Sequence, residues 1–493
     1  MTIVLQVITI AGMLALTYFV FTAFGKPKTH LLFTKEEKVE WDELINKNAG
    51  SWFTSTNIVG TLTSLATVYV FFIGSSKLFG AWIFLCSLTI WIGAYITNFF
   101  TKRICADHYV AARLHSPDQT GGIIACLFWR PDDKSAQRTS LIIKWISLLN
   151  IASIIWLDFA LFADISSQLI GQSSMVVKVA LLSGTCLAVV FFTLHYGLRG
   201  FVFADFFQAP LVFIGSLIVL GGVIFLAFSI GSFKLLIIDL PTPILSLKDC
   251  ALFAVQVISL NLLLVLVTEP HWLRVWIFRA KETRLQASST FATGILWGLL
   301  ALIGLFAFPL SGKKIGEAAI ISLLQQMSAT STIFIVAFWV GGIAALFSSA
   351  DSQIYSFLLV KEFQLSTGKL QEVLMSGIKP VRLSVLTTII FVCIYVFVRS
   401  FNVPFEKMIF VVLPVCLNVF PAFVLAVLGE KQQPHFILAS LALYIGCSIL
   451  GFLQPSNEFF WTLLAPFCPV LVSAYILSKY FLMPRRSRCR QTR

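Results

Sequence analysis

The sequence predicts an all-α polytopic membrane protein with about thirteen transmembrane helices. The chain of 493 residues is 58% hydrophobic and only 12% charged, and its mean hydropathy is +0.89. A soluble protein of this length carries about twice that charged fraction. Several apolar runs exceed the roughly 18 residues that a helix needs to cross a bilayer. The runs are continuous rather than alternating, which excludes a membrane β-barrel.

The apolar runs follow one another along the whole chain. The first, 3–24, has no basic segment before it and is too long for the core of a signal peptide, so we expect it to remain as an anchor. The further runs are 52–74, 79–100, 140–166, 175–196, 201–229, 250–271, 286–310, 331–358, 382–400, 405–427, 434–453 and 458–482. The loops between them are too short for an independent domain. One loop, 102–139, contains an apolar patch at 122–129 that we expect to lie on the membrane face.

Positive charge alternates between high and low from loop to loop. The loops after the first, third, seventh and ninth runs and the tail after 482 carry most of the Lys and Arg residues. The alternate loops carry only Lys77, Lys234, Lys248, Lys313, Lys314 and Arg399. By the positive-inside rule, the N-terminus is outside and the C-terminus is cytoplasmic. The predicted location is the plasma (inner) membrane, with the lipid bilayer as a partner.

The formal net charge of +13 arises from these loop ends rather than from one basic face. Nucleic acid is therefore not expected as a partner. The ten cysteines are scattered without a C-x-x-C pair, and most lie inside apolar runs. We interpret them as small apolar side chains rather than as disulfides or metal ligands.

The stretch 341–353 places two glycines, three serines and Asp351 in what should be helix at lipid depth. Buried carboxylates and hydroxyls are unfavourable by several kcal/mol unless something satisfies them. The glycines allow another backbone to approach closely. Both features favour a cation site between packed helices. The alternative is that each serine only donates to the carbonyl one turn earlier.

Four stretches occur in the order found in the sodium/solute symporter family, which includes the proline, pantothenate, galactose and sialic acid carriers. The stretch 196–208 resembles G-L-R-x-V-x-x-T-D-x-x-Q, and 341–353 resembles A-x-x-S-S/T-x-D/S-S-Q. Glu269-Pro270-His271 followed by Arg274 is similar to the Q-P-H-x-x-x-R of the proline branch. The stretch 57–82 resembles the first core helix of the family and the short turn after it.

The resemblance implies a five-plus-five inverted repeat of the leucine-transporter type. Substrate and ion would then lie near the midplane, where the first helix of each repeat is broken. The implied organisation is an N-terminal extra helix and cytoplasmic loop at 1–51, the first repeat at 52–229, the second repeat at 250–427, two C-terminal extra helices at 434–482 and a basic cytoplasmic tail at 483–493.

The resemblance also implies a sodium site. The family positions fall on the backbone carbonyls of Ile58, Thr61 and Ala345 and on the hydroxyls of Ser348 and Ser349. Oxygen ligands of this kind suit a hard cation.

A second cation or a proton would use Asp205, Asp351 and Ser352. Asp351 lies about one turn beyond Ser348 and therefore on the same helix face. The alternative for this group is a structural hydrogen bond near the cytoplasmic mouth.

The substrate positions depart most from the family pattern. The candidate substrate-binding residues are Asn57, Gly60, Asn261 and Glu269, with Trp156 and Asp158 as secondary candidates. The run 261–267 contains neither Gly nor Pro, so this helix has less reason to break than in the family. Either the substrate is small and apolar or amphipathic, or transport has been lost.

The predicted function is a sodium-coupled secondary active symporter of a small organic solute that works by alternating access. Sodium is the coupling ion, and no cofactor is expected. The alternative from a different class is a non-transporting solute receptor or partner subunit with the same fold. No nucleophile–base pattern supports an enzyme, so no catalytic residue is predicted.

Overall fold

The computed structural model describes residues 2–24, 64–65, 71–105, 123–130, 132–229, 246–272, 283–310, 317–362, 380–401, 405–453 and 460–482. This part of the chain is helical and contains no strand. Its α-helices are α1 (Thr2–Phe24), α2 (Ser75–Phe79), α3 (Phe84–Cys105), α4 (Ile123–Phe128), α5 (Lys134–Leu169), α6 (Met175–Ser229), α7 (Leu247–Val267), α8 (Thr283–Leu310), α9 (Glu317–Thr330), α10 (Thr332–Glu362), α11 (Pro380–Ser400), α12 (Phe405–Val412), α13 (Phe420–Val427), α14 (Pro434–Leu453), α15 (Phe460–Leu464) and α16 (Phe467–Leu482). Two 3₁₀ helices, Gly80–Ile83 and Leu413–Val419, precede α3 and α13.

Ten helical segments of the described chain are long and apolar enough to cross a membrane, and each coincides with a predicted run. Two of them, Met175–Tyr196 and Val202–Ser229, lie within α6. The predicted run 79–100 corresponds to α3 and the turn before it, and 405–427 is built from three short helices. The run 52–74 lies largely outside the described residues. The multi-pass helical class is confirmed, whereas the count of about thirteen stays a prediction.

The centre of the bundle is formed by α5 and α10. In each of them 78% of the most apolar window is buried, against 22–50% in the other eight membrane-length segments. The most extensive helix contact joins α10 to α6, and α5 packs against both. A second group of contacts joins α3 to α7 and α8. Buried polar side chains in α5, α6 and α10 therefore face protein rather than lipid.

The ends of α5 show why the helix begins and stops where it does. Asp133 accepts hydrogen bonds from the backbone N–H groups of Ser135 (2.8 Å) and Ala136 (3.2 Å), which caps the first turn. At the other end Gly171 adopts φ = 76°, a conformation that favours glycine and ends a helix.

The short helix α4 corrects one expectation, because its apolar face packs inward rather than on the membrane. Ile124, Ala125 and Phe128 are buried, and the Phe128 ring meets the Phe423 ring edge to face at 4.9 Å. The Ser140 hydroxyl donates to the Ala125 carbonyl at 2.8 Å. The apolar patch therefore packs into the protein core. Hydropathy alone does not distinguish such a patch from one that lies on the membrane surface.

A buried ion network joins four helices at the end of the bundle where α5 stops. Asp164, which is fully buried, pairs with Lys178 of α6 at 2.7 Å and with Arg399 of α11. The Tyr395 hydroxyl donates to the same carboxylate at 2.8 Å. Arg399 also pairs with Glu317, at the start of α9, at 2.9 Å. Two acids and two bases balance in charge, which makes their burial tolerable.

Candidate ion and solute sites

The contact at the centre of the candidate ion site joins α6 to α10. The Ser348 hydroxyl of α10 donates to a carboxylate oxygen of Asp205 of α6 at 2.5 Å. Both side chains are fully buried. The contact therefore brings hydroxyl and carboxylate oxygen atoms together at one point in the interior.

Close approach of the two helix backbones makes this contact possible. A Cβ atom on Gly215 would lie 2.8 Å from the Ala337 carbonyl oxygen and 3.0 Å from the Cα atom of Gly341. Only hydrogen at these positions leaves room. This confirms the expectation that the glycines of 341–353 admit a neighbouring backbone. The pairings 215 with 341 and 205 with 348 also show that α6 and α10 run antiparallel.

The serines of α10 divide into two groups. Ser352 donates to the Ser348 carbonyl at 2.8 Å, and Ser356 donates to the Ser352 carbonyl at 2.9 Å, so these two follow the back-bonding alternative. Ser348 does not, because its hydroxyl crosses to Asp205. Ser349, the next residue, is also buried. Asp351 is buried beside this group, with one carboxylate oxygen 3.4 Å from the Ser352 hydroxyl.

Two glutamines near the same contact were not among the predicted site residues. Gln208 lies one turn after Asp205, and Gln353 lies one turn after Ser349. Both are buried. The amide nitrogen and the amide oxygen of Gln208 both lack a hydrogen-bond partner within the described chain. The amide oxygen of Gln353 lacks one as well. The signal was present, because both residues end motifs quoted above, but a motif does not reveal which amides lack partners.

The other half of the predicted sodium site falls on Ile58 and Thr61, which lie outside the described residues, as do the predicted substrate residues Asn57 and Gly60. The same helical run is described again from residue 71. There the backbone forms a widened turn at 71–74, followed by α2 and by Gly80 with φ = 53°. Widened turns within helices often mark functional positions. Ala345 is described and is fully buried in α10, one turn before Ser348 and Ser349.

The predicted substrate residues Asn261 and Glu269 lie in different surroundings. The Asn261 amide donates to the Cys86 carbonyl at 3.1 Å and to the Thr89 hydroxyl at 3.0 Å, both in α3. Glu269 accepts from the backbone N–H of Ile124 at 3.1 Å and so holds the start of α4. Asn261 and Glu269 lie eight positions apart, and the end of α7 falls between them.

The path of α7 between these residues follows the sequence. The helix is unbroken through Val267, as the absence of Gly and Pro in 261–267 predicts. It ends at Thr268, whose backbone is extended.

The secondary candidates Trp156 and Asp158 are both buried in α5. The Trp156 indole donates to the Phe391 carbonyl of α11 at 3.2 Å. This bond holds the ring at an interface between helices.

A cavity of about 30 Å³ lies between α3, α7, α8 and the segment that contains the second 3₁₀ helix. Its described lining is Phe71, Cys86, Gln256, Val257, Leu260, Asn261, Trp297, Ile409, Leu413 and Pro414. The amide oxygen of Gln256 and the indole N–H of Trp297 have no hydrogen-bond partner in the described structure. Sequence analysis missed both residues, because a single polar residue in an apolar run is indistinguishable from a satisfied core residue.

Comparison with known proteins identifies the fold. No protein-family model matches the chain, and no curated protein matches it. Among solved structures, a Na⁺-coupled sialic acid symporter in a substrate-bound outward-open state aligns with a TM-score of 0.58 and 13% identity, over 95% of this chain and 96% of that chain. MhsT in complex with L-phenylalanine aligns with a TM-score of 0.52 and 16% identity, over 87% of this chain and 98% of that chain.

These likenesses show that the chain is a multi-pass membrane protein with the leucine-transporter fold. The five-plus-five inverted repeat expected from the sequence is thereby confirmed as the fold class. The repeat boundaries at 52–229 and 250–427 stay predictions.

Proposed function

We propose that the chain is a sodium-coupled secondary active symporter of a small organic solute, in the plasma (inner) membrane with its N-terminus outside and its C-terminus cytoplasmic. The observation that carries the proposal is the buried contact between Ser348 and Asp205. The contact places carboxylate and hydroxyl oxygen atoms together in the interior of the bundle. A hard cation prefers oxygen ligands of this kind.

In this proposal the sodium ion binds between the first core helix and α10. The α10 ligands are the Ala345 carbonyl and the hydroxyls of Ser348 and Ser349, and the opposite ligands are the carbonyls of Ile58 and Thr61. The burial of Ser349 beside Ser348 supports this assignment. Asp205, Asp351 and Ser352 provide a second cation or proton position, where the amide oxygen of Gln208 is a further oxygen ligand.

Sodium supplies the driving force for transport. Binding joins the two helices and favours the outward-open state, after which solute binds and one helix group rocks against the other. Each charge carried inward gains about 2.3 kcal/mol per 100 mV of membrane potential. The proposed solute-binding residues are Asn57, Gly60, Asn261 and Glu269. No cofactor takes part.

Sodium-dependent thermal stability of the purified protein tests the ion site without knowledge of the solute. Sodium binding to the folded state raises the free energy of unfolding by RT ln(1 + [Na⁺]/Kd), so the unfolding temperature should rise with sodium concentration. Potassium at equal ionic strength should not raise it. Ser348→Ala and Asp205→Asn should weaken sodium binding about tenfold or more, because each removes an oxygen ligand or its charge.

Ser356→Ala is the matched control. Its hydroxyl only donates to the carbonyl one turn earlier on the same helix. It should therefore keep the full sodium response. Equal stabilisation by sodium and potassium, or an unchanged response in Ser348→Ala, would contradict the proposed site.

The unbroken course of α7 favours a second candidate, a non-transporting receptor or partner subunit. A continuous helix at 261–267 exposes fewer backbone carbonyls to a substrate than a broken one. Uptake into proteoliposomes distinguishes the two functions. Sodium and solute binding without sodium-driven accumulation of that solute would support the receptor.

A further inference from the structure

We propose that Cys447 and Cys468 form a reversible disulfide that fastens α16 to α14, with an uncharged peroxide as the oxidant. The two sulfur atoms lie 3.9 Å apart, in a contact in which either thiol can donate to the other. Among the described cysteines this is the one pair in contact. The pair includes no residue of the proposed ion or solute sites.

Helix packing holds the two thiols together. Gly451 lies one turn after Cys447 on α14, and a Cβ atom on it would lie 2.5 Å from the Cγ2 atom of Thr462 and 3.0 Å from the Thr462 backbone nitrogen. The backbones of α14 and α15 are therefore in direct contact there. Cys468 follows in the first turn of α16, where its backbone N–H donates to the Ala465 carbonyl at 3.1 Å. The sulfur atoms meet because the backbones that carry them are closely packed.

The remaining distance is within reach of the side chains. A disulfide bond is about 2.05 Å long, so the sulfur atoms of Cys447 and Cys468 must approach each other by about 1.9 Å. Each cysteine side chain has one rotatable bond before the sulfur, between Cα and Cβ, with three staggered positions. Rotation about these bonds moves the sulfur atoms over such distances while the helices stay in place.

The difference in burial sets the order of the reaction. Cys447 is half-buried, whereas Cys468 is only 5% exposed. Peroxide therefore reaches Cys447 first, where a sulfur–oxygen bond forms, the oxygen–oxygen bond breaks and one water leaves. The Cys468 sulfur then attacks the Cys447 sulfur, so that the disulfide forms, the sulfur–oxygen bond breaks and a second water leaves. The two thiols lose two hydrogen atoms and two electrons, and the peroxide is reduced to two water molecules.

The position of the pair along the helices matches an oxidising environment. Cys447 lies six positions before the end of α14, and Cys468 is the second residue of α16. The topology proposed above places these two helix ends toward the outside. Disulfides persist outside the cell, whereas cytoplasmic thiols are kept reduced. We therefore expect the disulfide to close under external oxidation and to open in the presence of a dithiol reductant.

The test counts thiols in the full chain, reconstituted in nanodiscs, with and without hydrogen peroxide. After treatment the protein is denatured, alkylated with N-ethylmaleimide and weighed intact. The chain has ten cysteines, so the untreated protein should take up ten labels and the oxidised protein two fewer. Dithiothreitol should restore all ten. Chymotrypsin cuts after Phe452, between the two cysteines, and should release one cross-linked pair of peptides.

Single variants identify the partners. Treated Cys447→Ser and Cys468→Ser should each keep all nine remaining thiols available for alkylation. The matched control is Cys186→Ser, which removes a buried thiol of α6 and should still lose two labels on oxidation. Oxidation should also raise the unfolding temperature of the unmodified chain but not that of Cys468→Ser, because a cross-link constrains the unfolded state.

Three results would overturn the proposal. The first is a full count of ten labels after peroxide treatment that oxidises a cysteine peptide in the same sample. The second is a cross-linked peptide that joins other cysteines. The third is addition of oxygen to Cys447 without any cross-link to Cys468. The peptide map uses the unmodified chain and therefore decides the question even if a serine variant does not fold.

Discussion

Gly93 lies where α3 meets α7, and its replacement by alanine gives the sharpest test of the packing. A Cβ atom there would lie 2.0 Å from the Asn261 carbonyl oxygen and 2.7 Å from the Cα atom of Leu262. The first distance is about 1.4 Å short of the 3.4 Å at which ordinary contact begins. Both obstacles are backbone atoms, so no side chain can rotate away, and α3 and α7 must separate.

The expected loss in the free energy of unfolding follows from three effects. Forced separation of packed helices is unfavourable by about 2 kcal/mol. The two hydrogen bonds from the Asn261 amide to α3 would be lost, at about 1 kcal/mol each. The higher helix propensity of alanine returns about 1 kcal/mol. The net destabilisation is therefore about 3 kcal/mol, to be measured by reversible unfolding in mixed detergent micelles.

Gly184→Ala is the control for this substitution. Gly184 is also helical, in α6, but a Cβ atom there would meet nothing within 4 Å. Its alanine variant should be as stable as the unmodified chain or slightly more stable. If Gly93→Ala unfolds at the same denaturant concentration as Gly184→Ala, the close approach of α3 and α7 is wrong.

Two further substitutions test buried polar contacts by the same unfolding measurement. Asp164→Asn should destabilise by about 3 kcal/mol, because it removes the fully buried carboxylate that two half-buried cations share. Glu317→Gln should lose under about 1 kcal/mol, because this carboxylate is only half-buried where it pairs with Arg399. Asn418→Leu should lose about 2 kcal/mol, because the Ser440 hydroxyl donates to the Asn418 amide oxygen at 2.6 Å. Adding Ser440→Ala should restore part of that stability, and an additive double variant would contradict the assigned bond.

The helices were predictable because hydropathy responds to length and composition alone. The run 434–453 coincides with Pro434–Leu453, and 175–196 coincides with the first part of α6. The run 405–427 is helical throughout, but its sequence contains Pro414 and Pro421, which divide it into three short segments. Proline lacks the N–H that continues a helix, and each lies in the first turn of a new segment. That signal was available in the sequence.

The polar contacts were only partly predictable. The sequence assigned Ser348 to the sodium site and Asp205 to a second cation or proton position, and the structure brings the two side chains into contact. The network around Asp164 was missed for two reasons. Its partners Lys178, Glu317 and Arg399 lie far apart in the sequence. A single charged residue near the end of a membrane span also cannot be told from a loop residue by sequence. Asn261 was chosen for its polarity in an apolar run, and its amide hydrogens are shared with α3.

The packing of the first core segment connects the proposed ion site to α8. From residue 71 onward this segment is fixed to the α7–α8 side, because the Phe79 and Phe253 rings stack at 3.6 Å and Gly304 lies against the Phe72 carbonyl. An ion that joins residues 58 and 61 to α10 would therefore draw α8 toward α10. Gly304→Ala should break this coupling, since its Cβ atom would lie 2.4 Å from the Phe72 oxygen.

Hydrogen exchange measures that coupling directly. In the unmodified chain, sodium should slow amide exchange in both α10 and α8, because the bound ion would hold both helices against the first core segment. In Gly304→Ala, sodium should still protect α10 but no longer protect α8. Gly446→Ala, whose Cβ atom would meet nothing within 4 Å, should keep both effects. Sodium protection of α8 that survives in Gly304→Ala would show that the ion acts on α8 through another route than the Phe72 contact.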